Sequence, residues 1–399
     1  MMSLSRPWRR LLAYLICLGM VMLTTLSQAA NFVPASDEMV VETLPTKTDP
    51  ALRELKSLRL QANRSPENLT LALQAAQRSI EHARHSADPR FLGYAEAVLV
   101  PWLRQPVVPI DALVMQAVIL QSSHRFAEAI NMLQVALRRD PHHAQGWLTL
   151  ASIHQVRGEL TMARRACLKL VPLLDSEVAL DCVAGVDAMT HRAAASYRRL
   201  QLRVNHPDTP TWSRPWQRVQ LAELAVRLGQ PDEAGAWFAQ AMQQTPDGYV
   251  KAAYTDWLLD RQAYQAVVEA LGNDSRADSL LLRLALARQG LRLPQATRDI
   301  ETLASRFAAA RLRGDSTHAR EAARFELHLR RQPKLALALA QRNWQQQKEP
   351  ADARILLESA LAAGQYEAAR PVLTWLATTG VEDASLTPLI RQLKKGMTS

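Results

Sequence analysis

Residues 110–143 read IDALVMQAVILQSSHRFAEAINMLQVALRRDPHH, and residues 144–172 read AQGWLTLASIHQVRGELTMARRACLKLVP. They are two copies of one helical hairpin, offset by thirty-four residues: Leu113 recurs as Trp147, Ala117 as Ala151, His124 as Gly158, Ala129 as Ala163 and Leu133 as Cys167. A fixed period in this range belongs to stacked arrays, in which each unit covers its neighbour, and not to a closed globule. Ala151 and Ala163 stand twelve residues apart across a turn, where two helices must touch. Gly158 lies in that turn, where glycine adopts a left-handed backbone without steric cost. Trp147 and Leu150 share one face of the first helix. A lone hairpin leaves half of its apolar surface wet. Stacking the next one covers it, at roughly 1.5–3 kcal/mol per large side chain, so several copies are needed to offset the entropy of ordering the chain.

The same residues carry a family resemblance. Trp147, Leu150, Ala151, Gly158, Ala163 and Cys167 resemble the tetratricopeptide repeat signature. Residues 215–246 match its spacing more fully, with Leu221, Ala222, Gly229, Ala234, Phe238, Ala241 and Pro246. A third good copy, 350–379, has Leu356, Leu357, Gly364, Tyr366, Ala369 and Leu373. Gly158 to Gly229 is 71 residues and Gly229 to Gly364 is 135, close to two and four periods, so the stretches between read as degenerate copies. The resemblance implies an all-α fold, a right-handed superhelical solenoid of stacked antiparallel helix pairs.

Composition agrees. Hydrophobic residues make up 48% and aromatics 6% of the 399 residues, and little of the chain alternates as a strand would. Residues 1–29 read as an export signal: Arg6, Arg9 and Arg10, an uncharged apolar run Leu11–Leu26, then Ser27-Gln28-Ala29 as a cleavage site. The alternative is an inner-membrane anchor through 11–26, although sixteen residues is short for a span of about twenty. Residues 30–50, with Pro34, Pro45 and Pro50, read as a flexible leader. The expected segments are then 51–109, an N-terminal helical unit of degenerate repeats; 110–204, clear repeats; 205–278, repeats after a break at Pro207, Pro210 and Pro215; and 279–395, degenerate and C-terminal repeats. Signal removal takes three arginines and no acid, lowering the net charge from +10 to +7. A basic exported chain can meet anionic envelope surfaces. Nucleic acid is a poor partner, because the basic residues are scattered without interleaved aromatics.

Cys167 and Cys182 remain after cleavage. They are roughly equidistant from a turn near Leu173–Asp175, and exported thiols tend to pair, so a disulfide is one expectation and two small core residues the other. No phosphate loop, nucleophile elbow, dinucleotide fingerprint or metal-ligand spacing occurs, and no cofactor or metal is expected. His82 with His85, and the His142-His143 pair, read as solvated helix faces. Trp147, Trp216, Trp237, Trp257, Trp344 and Trp375 sit at core or inter-repeat spacing.

Function then rests on the concave surface that arrays of this family present. Projected groove positions are Val114, Val118 and Gln121; Gln145, Leu148, Ser152 and Gln155; and Val219, Glu223 and Val226, with Trp216 at the edge. This mixed apolar and amide face suits an extended or helical peptide. The residues could equally contact the array's own terminal helices. The expectation is a non-enzymatic periplasmic scaffold for another envelope protein, within an assembly or transport system; the alternative is a chaperone or holdase for exported polypeptides. An enzyme on a helical toroid, as in lytic transglycosylases, needs a separate catalytic lobe, and no non-repeat region is large enough for one.

Overall fold

A computed structural model describes Ser36 and residues 50–398, apart from 87, 175, 208, 210–213, 244–245, 273–276 and 315–317. The expected signal, its alternative role as an anchor, and nearly all of the leader lie outside the described residues. The chain divides into two units, Met1–Arg53 and Glu54–Ser399, and the repeats all lie in the second.

After α1 (Pro50–Arg64) the helices come in pairs: α2 (Leu69–Ser86) with α3 (Arg90–Leu103), α4 (Ile110–Ser122) with α5 (Phe126–Arg139), α6 (Ala144–Val156) with α7 (Leu160–Leu168), α8 (Ser176–Asp187) with α9 (Ala193–Val204), and α10 (Arg214–Arg227) with α11 (Pro231–Met242). Then follow α12 (Gly248–Asp260) with α13 (Tyr264–Leu271), α14 (Asp278–Gly290) with α15 (Gln295–Leu312), α16 (Ala319–His328) with α17 (Pro333–Gln346), and α18 (Pro350–Ala362) with α19 (Arg370–Thr379), before a final α20 (Thr387–Thr398). No strand occurs among the described residues. Each pair packs internally, and the first helices of successive pairs also pack on one another, from α2 through α4, α6 and α8 and from α10 to α18. The fold is an all-α solenoid of stacked helix pairs.

One backbone device repeats through the stack. The turn between first and second helix carries a left-handed residue at His124, Gly158, Gly229, Gln262, Arg292, Arg331 and Gly364. The residue after it donates its N–H to the carbonyl five positions back: Arg125 to Leu120, Glu159 to His154, Gln230 to Ala225, Ala263 to Leu258, Leu293 to Arg288 and Gln365 to Ala360. This is the Schellman closure, which satisfies carbonyls left open at a helix end. At Arg331 the loop is one residue longer, Gln332 donating to Glu326. The α8–α9 turn differs, with no left-handed residue among those described. Seven residues before the turn residue and five after it, Ala117 and Ala129, Ala151 and Ala163, and Ala222 and Ala234 are buried where the paired helices touch. In α12 and α13 the same places hold Thr255 and Val267, also buried.

The array is not open-ended. Its C-terminal third folds back onto the turns of its first repeats, so that Leu113, Phe126, Leu133 and Ile153 share one core with Leu337, Trp344, Leu356, Trp375, Leu386 and Leu393. Lys348 donates its backbone N–H to Val156 at 2.8 Å, Gln347 meets His124 at 2.7 Å, and the Trp375 indole N–H points at the Gly158 carbonyl at 3.4 Å. Trp344 and Trp375 stack edge to face, 5.3 Å between centroids. Gly229 lies 3.4 Å from the Ala384 Cβ, measured from where its own Cβ would be.

Cys167 and Cys182 are joined by a disulfide, with Cα atoms 5.5 Å apart, which ties α7 to α8.

Candidate partner-binding groove

The left-handed turn residue gives every pair a common register. Six residues before it stand Val118, Ser152, Glu223, Asp256 and Glu358; thirteen before it stand Asp111, Gln145, Trp216 and Tyr249. The first helices therefore supply an inner wall whose character changes along the stack: over α4 and α6 its one carboxylate is Asp111, which meets His143 at 3.0 Å, whereas acids stand six before the turn in α10, α12 and α18, with Leu286 and Phe325 at that place in α14 and α16.

The acidic part is filled by the chain's own cations. Tyr249 donates its hydroxyl to Glu223 at 2.8 Å. Asp256 accepts from Arg283 and from Arg324 at 2.5 Å. Arg354 grips Asp260 with both Nη atoms, at 2.6 and 2.7 Å, and donates through Nε to Glu358 at 2.7 Å, while His328 reaches Glu358 at 3.1 Å. Arg320 bridges Glu349 at 3.1 Å and Asp352 at 3.2 Å. Asp352 also accepts from Asn343 at 2.7 Å and from the Glu349 N–H at 2.9 Å, forming the capping box of α18. These bonds join helices far apart in sequence: Asp256 and Arg324 are separated by 68 residues, Asp260 and Arg354 by 94. First helices three pairs apart thus meet through a single ion pair. A peptide backbone, itself about 5 Å across, has no room between Asp260 and Arg354.

Burial and pairing shift the carboxyls in opposite directions. Burial raises Glu223 to about 7, offset only in part by the Tyr249 hydrogen bond and the Arg227 charge. Burial also raises Asp352, against the pull of Arg320. At Asp256 burial is outweighed by Arg283 and Arg324, which hold the carboxyl down at about 2. Glu358 is likewise brought to about 2, its burial outweighed by His328 and Arg354. These pairs are not dry: Tyr249 is 49% exposed, and the Asp260 and Arg354 side chains are 35% and 38% exposed.

The residues projected onto the groove have different fates. Val114 and Val219 are buried in apolar cores and offer nothing to a partner. Val118 packs on the α2–α3 core, and Val226 on the α10–α11 core. Gln121 donates to Ser152 at 2.8 Å, linking the walls of α4 and α6. Gln145 is exposed, its amide turned to Thr149 at 3.1 Å. Ser152 is exposed, Leu148 and Gln155 are half-buried, and Trp216 is 54% exposed. Glu223 belongs to the ion-paired section. The projection omits Tyr249, Asp256, Asp260, Arg320, Arg324, His328, Arg354 and Glu358, because it stops at three copies and uses neither the degenerate repeats nor the copy at 350–379. The register counted from Gln262 reaches Tyr249 and Asp256, and that from Gly364 reaches Glu358; Asp260 and Arg354 lie beside these places on the same first helices, and Arg320, Arg324 and His328 on α16.

Among solved structures, the chain is similar to a tetratricopeptide repeat protein from Parabacteroides merdae, with 14% identity over 80% of this chain and 99% of the other and a TM-score of 0.23. It is also similar to the tetratricopeptide repeat domain of P58(IPK), with 13% identity over 81% and 97% and the same TM-score of 0.23. Neither superposes closely enough to bear on function, and the fold assignment rests on the chain's own helix pairs. No protein-family model and no curated protein matches the sequence.

Proposed function

We propose that the protein is an exported, non-enzymatic scaffold that holds a segment of another envelope protein against the first helices α4, α6 and α10. The observation that carries this reading is the contrast along the inner wall. From α12 to α18 the groove positions are engaged with one another. Over α4, α6 and the start of α10, Gln145, Ser152 and Trp216 remain exposed beside half-buried Gln121, Leu148 and Gln155. Amide groups with an aromatic and an aliphatic anchor can hydrogen-bond a peptide backbone while seating one or two apolar side chains. The basic N-terminal segment and the Cys167–Cys182 bond support export to an oxidising compartment, and such a scaffold fits an assembly or transport system of the envelope.

The test is a photo-crosslinking residue placed at Ser152 or at Trp216 in living cells, with Arg298 on an outer helix as the comparison. One or two stoichiometric products from the groove positions and none from Arg298 support the scaffold. A broad smear supports the holdase alternative. No product from either groove position removes this reading.

A further inference from the structure

The second helices form the wall opposite the groove, and three in succession are together strongly basic. Together α5, α7 and α9 carry seven arginines and one acid, Glu128. Glu128 is already held by Arg125 at 2.5 Å. By contrast α11 has Asp232 and Glu233 with no basic residue, and α13 has Glu269 with none. Four of the seven arginines are engaged: Arg139 donates to the Val108 carbonyl at 2.6 Å, Arg164 pairs with Asp187, and Arg199 and Arg203 both pair with Asp181. Arg138, Arg165 and Arg198 are exposed, as is Lys169 directly after α7, and none of these has a carboxylate in ion-pair range among the described residues.

Aliphatic side chains alternate with these cations on the same helix faces. Val135 precedes Arg138 by three residues, Met162 precedes and Leu168 follows Arg165 by three, and Leu202 follows Arg198 by four. Residues three or four apart share a helix face. Leu168 is 45% and Leu202 78% exposed. The disulfide at Cys167 fixes Leu168 and its neighbours against α8, so this wall is held rigid where its apolar residues stand out.

We infer that the outer face of α5, α7 and α9 docks on an anionic phospholipid bilayer, with Arg165, Lys169 and Arg198 at the level of the phosphates and Leu168 and Leu202 entering the interface. Interleaved cations and aliphatics without a free acid match the chemistry of a lipid headgroup region, where each basic residue adds about fivefold to partitioning. Single-stranded nucleic acid would need a run of aromatic stacking platforms, and beside these cations stands only one aromatic among the contacts described, the half-buried Trp147, 6.0 Å from the Lys169 ammonium. The inference is independent of the groove, which lies on the other wall, and the two readings can fail separately.

The experiment is sedimentation of the full chain with vesicles of phosphatidylcholine alone or with 30 mol% phosphatidylglycerol, at low and at physiological salt. The N-terminal segment is constant in every variant, so differences belong to the substituted face. The wild type is expected to sediment with the anionic vesicles, less so as salt rises. The variant Arg138→Gln, Arg165→Gln, Lys169→Gln, Arg198→Gln is expected to lose at least tenfold in partitioning with an unchanged circular dichroism spectrum. Leu168→Ser with Leu202→Ser should also weaken binding at unaltered charge. The comparison variant Arg298→Gln, Arg311→Gln, Arg313→Gln, Arg330→Gln makes the same change in net charge elsewhere and should bind as the wild type does. Equal loss in that comparison variant, or equal sedimentation of wild type and patch variant, overturns the inference. So does a wild type that ignores anionic vesicles while a protein from the envelope protects the same face.

Discussion

Three glycines share one backbone conformation but not one environment, which makes the closure of the array measurable. Gly158, Gly229 and Gly364 have φ of +70°, +73° and +64°. Alanine at each meets the left-handed penalty of about 1–2 kcal/mol, offset in part by the lower entropy of the unfolded chain. At Gly364 nothing lies within 4 Å of the added carbon, so Gly364→Ala should cost about 1 kcal/mol and no more. At Gly229 the added carbon would sit 3.4 Å from the Ala384 Cβ, an ordinary contact, and a similar loss is expected. At Gly158 it would stand 2.7 Å from the Trp375 indole nitrogen and 2.9 Å from the Lys348 Cβ. Trp375 is 8% exposed and packed on Trp344, so it cannot swing into solvent cheaply. Adding overpacking of roughly 1–3 kcal/mol and a lost hydrogen bond of about 1 kcal/mol, Gly158→Ala should lose about 3–5 kcal/mol. Urea denaturation gives the totals, and hydrogen exchange at the Lys348 amide, which is bonded to Val156, localises the loss to the closure. In a Trp375→Leu background the excess at Gly158 should shrink toward the Gly364 value. Equal losses for Gly158→Ala and Gly364→Ala, with the Lys348 amide still protected, would refute the docking of the C-terminal third on that turn.

The same turns predict gains elsewhere: Gln262, Arg292 and Arg331 adopt φ of 57°, so each replaced by glycine should stabilise by about 0.5–1 kcal/mol, read as a rise in melting temperature. Stability should be greatest in mild acid. Glu223, raised from 4.5 to about 7, contributes stability that is present below pH 4.5 and lost as pH rises to 7. Asp256 and Glu358, held at about 2, contribute stability that is lost only as pH falls from about 4 toward 2. Glu223→Gln should reduce the fall in melting temperature between pH 4.5 and 7, leaving the part due to Asp352, which is raised to about 6, and should leave the acid limb in place. Unreduced protein should titrate no thiol at Cys167 or Cys182, and reduction of this bond, which spans 15 residues, should cost roughly 3 kcal/mol on the loop-entropy estimate.

The helix pairs were legible because their signals are local. Ala117 and Ala129, or Ala222 and Ala234, announce a close helix contact within one repeat, and a glycine between them announces the turn. The degenerate middle was harder to read for a definable reason. Gln262, Arg292 and Arg331 hold the left-handed position without being glycine, the backbone tolerating a modest strain where the Schellman bond and the buried pair on either side fix it. A search for Gly passes over them, yet the Leu258 and Arg288 carbonyls accept the same closing bond, and the Glu326 carbonyl accepts its counterpart in the longer turn at Arg331. Counting from the turn residue rather than from the glycine restores the register across the whole array.

The closure of the groove was not legible, and no local reading could have supplied it. Whether Asp260 meets Arg354 depends on the sum of small rotations between successive pairs, and an error of a few degrees at each would part them by several ångströms after three pairs. The chemistry is nevertheless written at fixed places. Acids recur six residues before the turn at 223, 256 and 358, and the arginines that answer two of them stand on first helices at 283, 324 and 354. Such a wall costs desolvation that exposed water only partly relieves, whereas an apolar inner wall would be simpler to bury. What the charges add is direction. Asp256 and Asp260 accept from arginines on particular other first helices, so these pairs favour one curvature over the alternatives a greasy interface would tolerate. The curvature they select brings the C-terminal third onto the turns at His124 and Gly158, and it leaves the amide-rich stretch over α4 and α6, where the proposed partner would sit, outside the ion-paired section.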